Sequence, residues 1–419
     1  MLGVPMPGVV SFRQLIEITF FQIKRTCAMA TAVLDLDLHH LPLEVGGLQE
    51  YVSAFVLIRF KGRPLGKTFV PITHGKIIIK DHFNDLVSAV APLLWPAWME
   101  NHLEWNERFN FNFAVPTATV AVCTHDRPED LRRCLDALMQ LPDDGQEILV
   151  IDNCPSTEKT LRLVESYPRV RYVREHRVGL DIARNRALLE ATHEVVAFTD
   201  DDAAPDKNWL RALLVNFNAP TVMCVTGLTM PLELETKAQE TFERHYSFSK
   251  GFRRVVHSSH SRHPLAPGPV GAGANMAMRK SILQLVGPFD EALDAGTKTH
   301  SGGDHEMFVR LLLAGYQIIY DPAALSWHRH RRSWKELQQT VYGYGVGVYA
   351  LWTRTLLVQK EWGVVRMAFL WFWRNQLFIL IRTLLRRPGS IPLNLIIAEF
   401  KGCLAGPGAY LASRKNQRL

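Results

Sequence analysis

Hydrophobic and polar positions along the chain fall into three textures. Up to about residue 110, short runs alternate. Val33–Leu38 (VLDLDL) sets apolar residues against acidic ones, Tyr51–Phe60 is a longer apolar run, and the turn KGRPLG leads into Thr68–Ile72, with Gly75–Lys80 repeating the pattern. A period of two predicts strands, and the turns between them predict antiparallel hairpins. A helical pattern follows from Phe83 to about Trp105. Asp35, Asp37, His39 and His40 gather in this region; an exposed strand face accounts for them better than a metal cluster.

From Pro116 strands and helices alternate. Thr117–Cys123 reads as a strand, and Asp126 is a candidate cap for a helix opening on Pro128, with Leu131, Cys134, Leu135 and Leu138 as its buried stripe. Strands are expected at Glu147–Ile151 (ending in Asp152 and Asn153), Val170–Val173 and Val195–Thr199, with helices at Thr157–Tyr167 and Gly179–Ala191. This order predicts an α/β domain with a mostly parallel sheet covered by helices on both faces. Such sheets bind ligands at the carboxyl ends of their strands, where Thr124, Asp152 and Asp200 fall. Further on come a strand at Val222–Thr226, a polar loop from Lys237 to Pro269, a run of small residues (Gly268–Lys280), a turn and helix over His300–Tyr316 with Met307, Leu311 and Leu312 inward, and a strand at Gln317–Tyr320. The polar loop holds Arg253, Arg254, His257, His260, Arg262 and His263. It reads equally as a basic lid over an acidic ligand and as a solvated loop.

The stretch Val195–Pro205 (VVAFTDDDAAP) carries the sharpest chemical signal. An apolar run fit for a buried strand ends in Asp200, Asp201 and Asp202. In an extended chain Asp200 and Asp202 project to one side and Asp201 to the other, which aims two oxygen donors at one point, as Mg2+ or Mn2+ requires. A solvated acidic turn, or the start of a helix over Lys207–Asn218, is the alternative. Asp304 falls just before the later helix, near its positive end, where an N-cap is a frequent role for Asp.

Charge divides the chain. The net charge is +7 over 419 residues, yet from Arg329 to Leu419 there are 15 Lys and Arg against 3 Glu, so the remainder is acidic. Leu, Ile, Phe and Trp accompany these basic residues, which favours an anionic membrane surface over nucleic acid. Val364–Leu385 has the length of a membrane span, but Arg366, Arg374 and Arg382 interrupt it. An amphipathic helix lying in the interface, and a buried helix pair with Ile391–Phe400, are the two readings. Six scattered cysteines without a CxxC pair suggest reduced thiols in a cytoplasmic setting, and no cleavable signal peptide is expected at the N-terminus. The expected division is a β-rich accessory region (1–110), an α/β domain (111–335) and a basic, apolar helical tail (336–419).

Seven motifs in order, CTHDRPEDLRRCL, VIDN, GLDIARNRAL, FTDDDAAP, GAGANMAMRK, GGDHEMFVRLLLAGY and YDPAALSWHRHR, resemble those of the family 2 glycosyltransferases, inverting enzymes of the GT-A fold. The resemblance covers about Pro116–Arg332. It implies a nucleotide-sugar donor, a hydroxyl acceptor on a glycan or a lipid-linked carrier, and a divalent cation, Mn2+ or Mg2+. It assigns Thr124, Arg127, Asp152, Arg184 (beside Asn185), Asp200 and Asn275 to the donor, Asp202 and His328 to the metal, and Asp304 to the catalytic base. The family commonly has Glu-Asp where this chain has Gly303 and Asp304, which leaves one carboxylate at that site. A non-catalytic sugar-nucleotide-binding subunit is the competing reading. A nucleotidyltransferase ranks lower, because CTHDRPED is acidic and lacks the glycine-rich phosphate loop. No nucleic-acid partner is expected.

Overall fold

The computed structural model describes residues 30–103 and 115–416. The chain falls into two compact units, Met1–Glu107 with Glu233–Thr241, and Arg108–Leu232 with Phe242–Leu419.

The first unit contains β1 (Ala30–Asp37), β2 (Glu44–Val45), β3 (Tyr51–Phe60), β4 (Arg63–Pro71), β5 (Ile77–Ile78) and α1 (Ile79–His102). β3 is central, with β4 antiparallel beside it and β1 parallel on its other edge. The expected all-antiparallel arrangement is therefore corrected. Alternation marks a strand but carries no direction, and residues 38–50 cross over between β1 and β3. Gly75–Lys80 yields only the two residues of β5, since α1 starts at Ile79; the Trp105 end expected for that helix lies outside the described residues. The acidic positions here are scaffolding. Asp35 holds Arg59 in a bidentate pair at 2.6–3.0 Å, and Asp37 accepts from the backbone N–H of His39, Lys61 and Gly62.

The second unit is built on a nine-stranded sheet. In chain order its elements are β6 (Ala118–Thr124), α2 (Pro128–Leu138), β7 (Glu147–Asn153), α3 (Lys159–Val164), β8 (Val170–Glu175), α4 (Leu180–Glu190), β9 (Val195–Asp200), β10 (Ala203–Pro205), α5 (Trp209–Leu214), β11 (Val222–Pro231), α6 (Lys237–Tyr246, whose first half is counted with the first unit), β12 (Val255–His257), β13 (Asn275–Arg279), α7 (Ile282–Leu285), α8 (Gly303–Leu313) and β14 (Gln317–His328). The strand order is β10-β14-β11-β13-β9-β6-β7-β8, with β12 on β14. β8, β7, β6 and β9 are parallel, and so are β11 and β14; β13 runs antiparallel between β9 and β11. β6, β7, β9 and β11 are buried on both faces, which is why they read as largely apolar runs, whereas β8 at the sheet edge is half-buried and carries two arginines. Val120, Val122, Val150 and Ala197 pack against α2, α3 and α5. Their neighbours Ala121, Leu149, Ile151, Val196 and Phe198 pack against α4 and α8, as the pleat requires.

Several local expectations are corrected. Asp126 does not cap α2; it sits at φ +54 and accepts from the Ser156 N–H at 3.0 Å, while Arg127 precedes the helix without a side-chain cap. α3 and α5 are shorter than expected, because their ends tighten into i→i+3 turns such as Tyr167 N–H to Val164 C=O at 2.9 Å. The polar stretch 237–269 contains α6 and β12. β14 continues past Pro322 through a bulge, where the register against β11 skips from Asp321 to Leu325.

Helices α9 (Trp334–Arg354), α10 (Gly363–Trp371), α11 (Phe378–Leu384) and α12 (Leu393–Asn416) complete the unit. α9 opens on a Ser333–Glu336 capping box and packs along α12 at backbone contact. A Cβ built on Gly345 would overlap the Glu399 carbonyl, and one on Gly402 the Tyr342 carbonyl. Gly402→Leu should therefore lower stability by about 1–3 kcal/mol or more. Gly408→Ala, on the same helix with open space beside it, should be neutral or raise stability by up to about 1 kcal/mol. Thermal unfolding of both variants checks the packing; equal behaviour would show that α9 and α12 are not in backbone contact.

Candidate functional site

β9 delivers Asp200 to the carboxyl edge of the sheet. A two-residue turn then sends the chain back as β10, whose antiparallel register places Ala203 opposite His328. This pairing gathers Asp200, Asp202 and His328, whose ligand atoms lie within 4.8 Å of one another. His328 Nε2 is 3.1 Å from Asp202 Oδ1 and 3.9 Å from Asp200 Oδ2, and its buried Nδ1 has no hydrogen-bond partner among the described residues. Asp201 turns the other way, accepting from Thr124 Oγ1 at 2.8 Å and from Arg127 Nη1 at 3.3 Å. Arg127 Nη1 also reaches Asp202 Oδ2 at 3.2 Å, and Arg331 Nη1 reaches the same oxygen at 3.3 Å. Two carboxylates and an imidazole converging on one point are a donor set that suits Mn2+, and Mg2+ less well.

Burial and the neighbouring Asp202 charge push the Asp201 carboxyl up to about 7. Burial pushes Asp202 the same way, but His328, Arg331 and Arg127 outweigh it and hold the carboxyl below the usual range. Burial pulls His328 down, yet Asp202 and Asp200 raise it above the ordinary imidazole value. The trio thus meets the condition that buried charges be paired.

Asp152, next to last in β7, lies two strands over from β9, with β6 between them. Its Oδ2 accepts from the Tyr172 hydroxyl at 2.7 Å, its buried Oδ1 has no partner among the described residues, and burial pushes its carboxyl up. In the neighbouring position, Asn153 Oδ1 accepts from Gly179 N–H at 2.9 Å and so fixes the entry to α4. On α4, Arg184 Nη1 donates to Asp181 Oδ1 at 2.8 Å and to Asp294 Oδ2 at 2.7 Å. Asn185 is spent on the backbone N–H and C=O of Phe289.

Asn275 does not face a ligand as expected. It is fully buried; its Nδ2 donates to Leu228 and Ala324 carbonyls at 3.0 and 2.9 Å, and its Oδ1 accepts from Trp209 Nε1 at 2.8 Å. All its polar capacity goes to joining β13, β11 and β14.

Asp304 lies in the first turn of α8, behind the N-cap Gly302, so it is not the cap. Its Oδ2 accepts from Gly273 N–H and its Oδ1 from His305 N–H, both at 2.7 Å. Burial pushes its carboxyl up, but the His305 and Arg184 charges and these two N–H groups hold it below the usual range. The Asp304 and Asp200 charges both raise Arg184, and those of Asp304, Asp200 and Asp202 all raise half-buried Tyr344, so Asp304 and the cluster lie within electrostatic reach of the same side chains.

Three basic side chains of the polar stretch have partners outside the cluster. Arg254 donates to Asn216 at 2.8 Å, and His257, paired with Arg262 at 3.3 Å, is pushed down to about 4 by burial and the Arg262 charge. Residues that the sequence reading passed over are Arg331, Asp181 and Asp294. Arg331 stands three residues beyond His328, and Asp181 stands at i−3 to Arg184 on one helix face, so both were open to detection. Asp294 lies 110 residues from Arg184 with no periodic signal.

Comparison with known proteins gives the following. Residues 119–287 match the family described as "Glycosyl transferase family 2". The chain is 31% identical over 224 residues to the pre-mycofactocin glycosyltransferase of Mycobacterium tuberculosis, covering 52% of this chain and 44% of that protein; it thus spans less than half of that relative's length. It is 23% identical over 248 residues to the glycosyltransferase AglE of Haloferax volcanii, covering 57% of this chain and 75% of that one. A solved mannosyltransferase from Pyrobaculum calidifontis, in complex with GDP-Man and Mn2+, aligns over 78% of this chain and 95% of its own, with 17% identity and a TM-score of 0.48.

A raised His328 pKa stabilises the fold fully below the ordinary value of 6.5 and loses that contribution as the pH climbs through the raised value. In chelator, His328→Gln should therefore cost about 1–3 kcal/mol near pH 6 and clearly less near pH 9. Urea unfolding at the two pH values checks this; equal costs would show that the Asp202 pair does not carry a proton.

Proposed function

We propose that this chain, whose residues 119–287 match the glycosyl transferase family 2, transfers a sugar from a nucleotide-sugar donor to a hydroxyl acceptor, with inversion at the anomeric carbon and with a divalent cation bound. One observation carries the reading: Asp200, Asp202 and His328 converge at the sheet edge, and an Asp304 carboxylate accepting from two backbone N–H groups shares Arg184 with Asp200 as an electrostatic neighbour.

Asp202, His328 and Asp200 are the residues that would hold the cation. A divalent cation bound there supplies positive charge for the diphosphate that leaves. Thr124 and Arg127 keep Asp201 turned away and Asp202 aimed inward. Asp152 offers an unpartnered buried oxygen, suited to an N–H of the nucleotide base. Arg184 has Asp181 and Asp294 on its guanidinium and sets the charge around Asp304. The acceptor O–H proton passes to Asp304 as the oxygen bonds to the anomeric carbon, and the sugar–oxygen bond to the diphosphate breaks with its electron pair leaving on the nucleoside diphosphate. Attack opposite a single leaving group inverts the centre. The second reading, a donor-binding subunit without turnover, draws on Gly303, which leaves Asp304 as the one carboxylate of its pair.

The acceptor fits a membrane surface. Gly363–Leu384 is 22 residues long with mean hydropathy 1.3 and is largely unburied. Trp362, Phe369, Trp373 and Phe378 are exposed among exposed Arg366, Arg374, Arg382, Arg386 and Arg387. That mixture suits a helix lying in an anionic interface, at the cytoplasmic face, more than one crossing it, and it favours a lipid-linked or polysaccharide acceptor.

Two experiments test these readings. Mn2+ with UDP or GDP should raise the melting temperature of the wild type and of Asp304→Asn alike, while release of nucleoside diphosphate from a panel of nucleotide sugars should fall at least ~100-fold in the variant. Loss of both responses would make Asp304 structural. The full chain should float with anionic vesicles but not neutral ones, and Arg382→Glu with Arg386→Glu and Arg387→Glu should abolish flotation; a wild type that stays in the pellet fraction with both vesicles would remove the membrane assignment.

A further inference from the structure

The space beside Gly303 is already filled. A Cβ built on Gly303 would overlap the carboxylate of Asp181, with Oδ2 its nearest atom. Asp181 comes from α4, more than a hundred residues earlier, and it is fully buried. Its Oδ1 holds Arg184 at 2.8 Å, whereas its buried Oδ2 has no hydrogen-bond partner among the described residues. A buried, unpartnered carboxylate oxygen is costly to keep, so its presence against the first residue of α8 calls for a reason.

Asp304 is the next residue along, and a second path joins it to Asp181. A Cβ on Gly273 would lie 2.6 Å from Arg184 Nη2 and 3.1 Å from Asp304 Oδ2. The Arg184 guanidinium and the Asp304 carboxylate therefore flank the Gly273 backbone, whose N–H holds Asp304 Oδ2 at 2.7 Å. Asp181 thus bears on Asp304 twice: by lying against Gly303, and by anchoring the guanidinium beside the Gly273 donor. Asp294 completes the anchor on Arg184 at 2.7 Å.

We propose that Asp181 is the positioning residue for Asp304, its carboxylate reaching from α4 into the side-chain space that Gly303 leaves open and fixing the first turn of α8. Gly303 and Asp181 form a complementary pair: the glycine is required because the carboxylate is there. This rests on the reading of Asp304 as the base of a glycosyltransferase, but its structural half can be measured without that reading.

The structural half is a double-mutant cycle in melting temperature. Gly303→Ala should unfold at a clearly lower temperature than wild type, and adding Asp181→Gly should recover much of the loss; two additive losses would overturn the pairing. The catalytic half uses nucleoside diphosphate release from the panel of nucleotide sugars with Mn2+. Asp181→Ala should lower kcat by about 10- to 100-fold, as expected when a base is misplaced by a fraction of an ångström. The donor KM should change by less than about threefold, and Asp181→Asn, which keeps the shape, should retain more kcat than Asp181→Ala. A wild-type kcat in Asp181→Ala, or equal falls in kcat and donor affinity, would overturn the positioning role. A wild type that releases no nucleoside diphosphate from any donor would instead overturn the function reading, leaving the melting cycle to decide the pairing.

Discussion

More carboxylates meet at one edge of this sheet than a low-dielectric setting tolerates without cations among them. Asp200, Asp201 and Asp202 follow one another in the chain, and Asp152, Asp181, Asp294 and Asp304 come to the same edge from other elements. Like charges buried this closely repel by several kcal/mol each unless offset. Most of the offsetting groups are brought from a distance: Arg127 from the loop after β6, His328 from the end of β14 and Arg331 from just beyond it, while Arg184 meets Asp181 on its own helix and Asp294 from 110 residues away. The site therefore exists only when β10 has paired with β14 and α4 has packed on its face of the sheet. Folding the sheet and balancing its charge are one event.

The helix that carries Asp304 is held from behind by the same logic. Two residues after Asp304, fully buried Glu306 pairs with Arg310 at 2.9 Å and with Arg354 of α9 at 2.5 Å. Arg354 also donates to Asp290 at 3.1 Å, and Tyr410 of α12 donates to that carboxylate at 3.0 Å. Each charge meets an opposite charge, as buried ions require. The tail thus has two faces of different character. α9 and α12, pressed together at Gly345 and Gly402, are scaffold for α8. α10 and α11 keep arginines and aromatic rings exposed.

Sequence made the strand ends legible because a buried parallel strand is an apolar run, and a carboxylate closing such a run stands out at Asp152 and Asp200. Opposed projection of Asp200 and Asp201 was likewise readable from an extended backbone. Convergence of His328 on Asp202 was not, since it depends on β10 pairing antiparallel with β14; the family resemblance supplied what periodicity could not. Strand direction was lost at β1, where alternation is the same for either sense. Asn275 misled because an asparagine among small residues suits a ligand cradle, whereas the fold spends it on two carbonyls and an indole. Asp294 left no trace, as a loop acid acquires its meaning only when Arg184 arrives beside it.

Why three aspartates stand in a row, when two and a histidine make the cluster that could hold an ion, follows from where the middle one points. With Asp201 turned to Thr124 and Arg127, Arg127 can bridge Asp201 and Asp202 through a single nitrogen, at 3.3 and 3.2 Å. That bridge ties the turn after β9 to the end of β6, one strand away, and leaves Asp202 Oδ1 facing His328. Without a carboxylate at 201, Arg127 would hold Asp202 alone, and the loop between β6 and α2 would lose its second anchor. The middle aspartate thus does its work by facing away from the ion site, and its own carboxyl, the one pushed up to about 7, is the member of the trio that burial leaves least firmly charged.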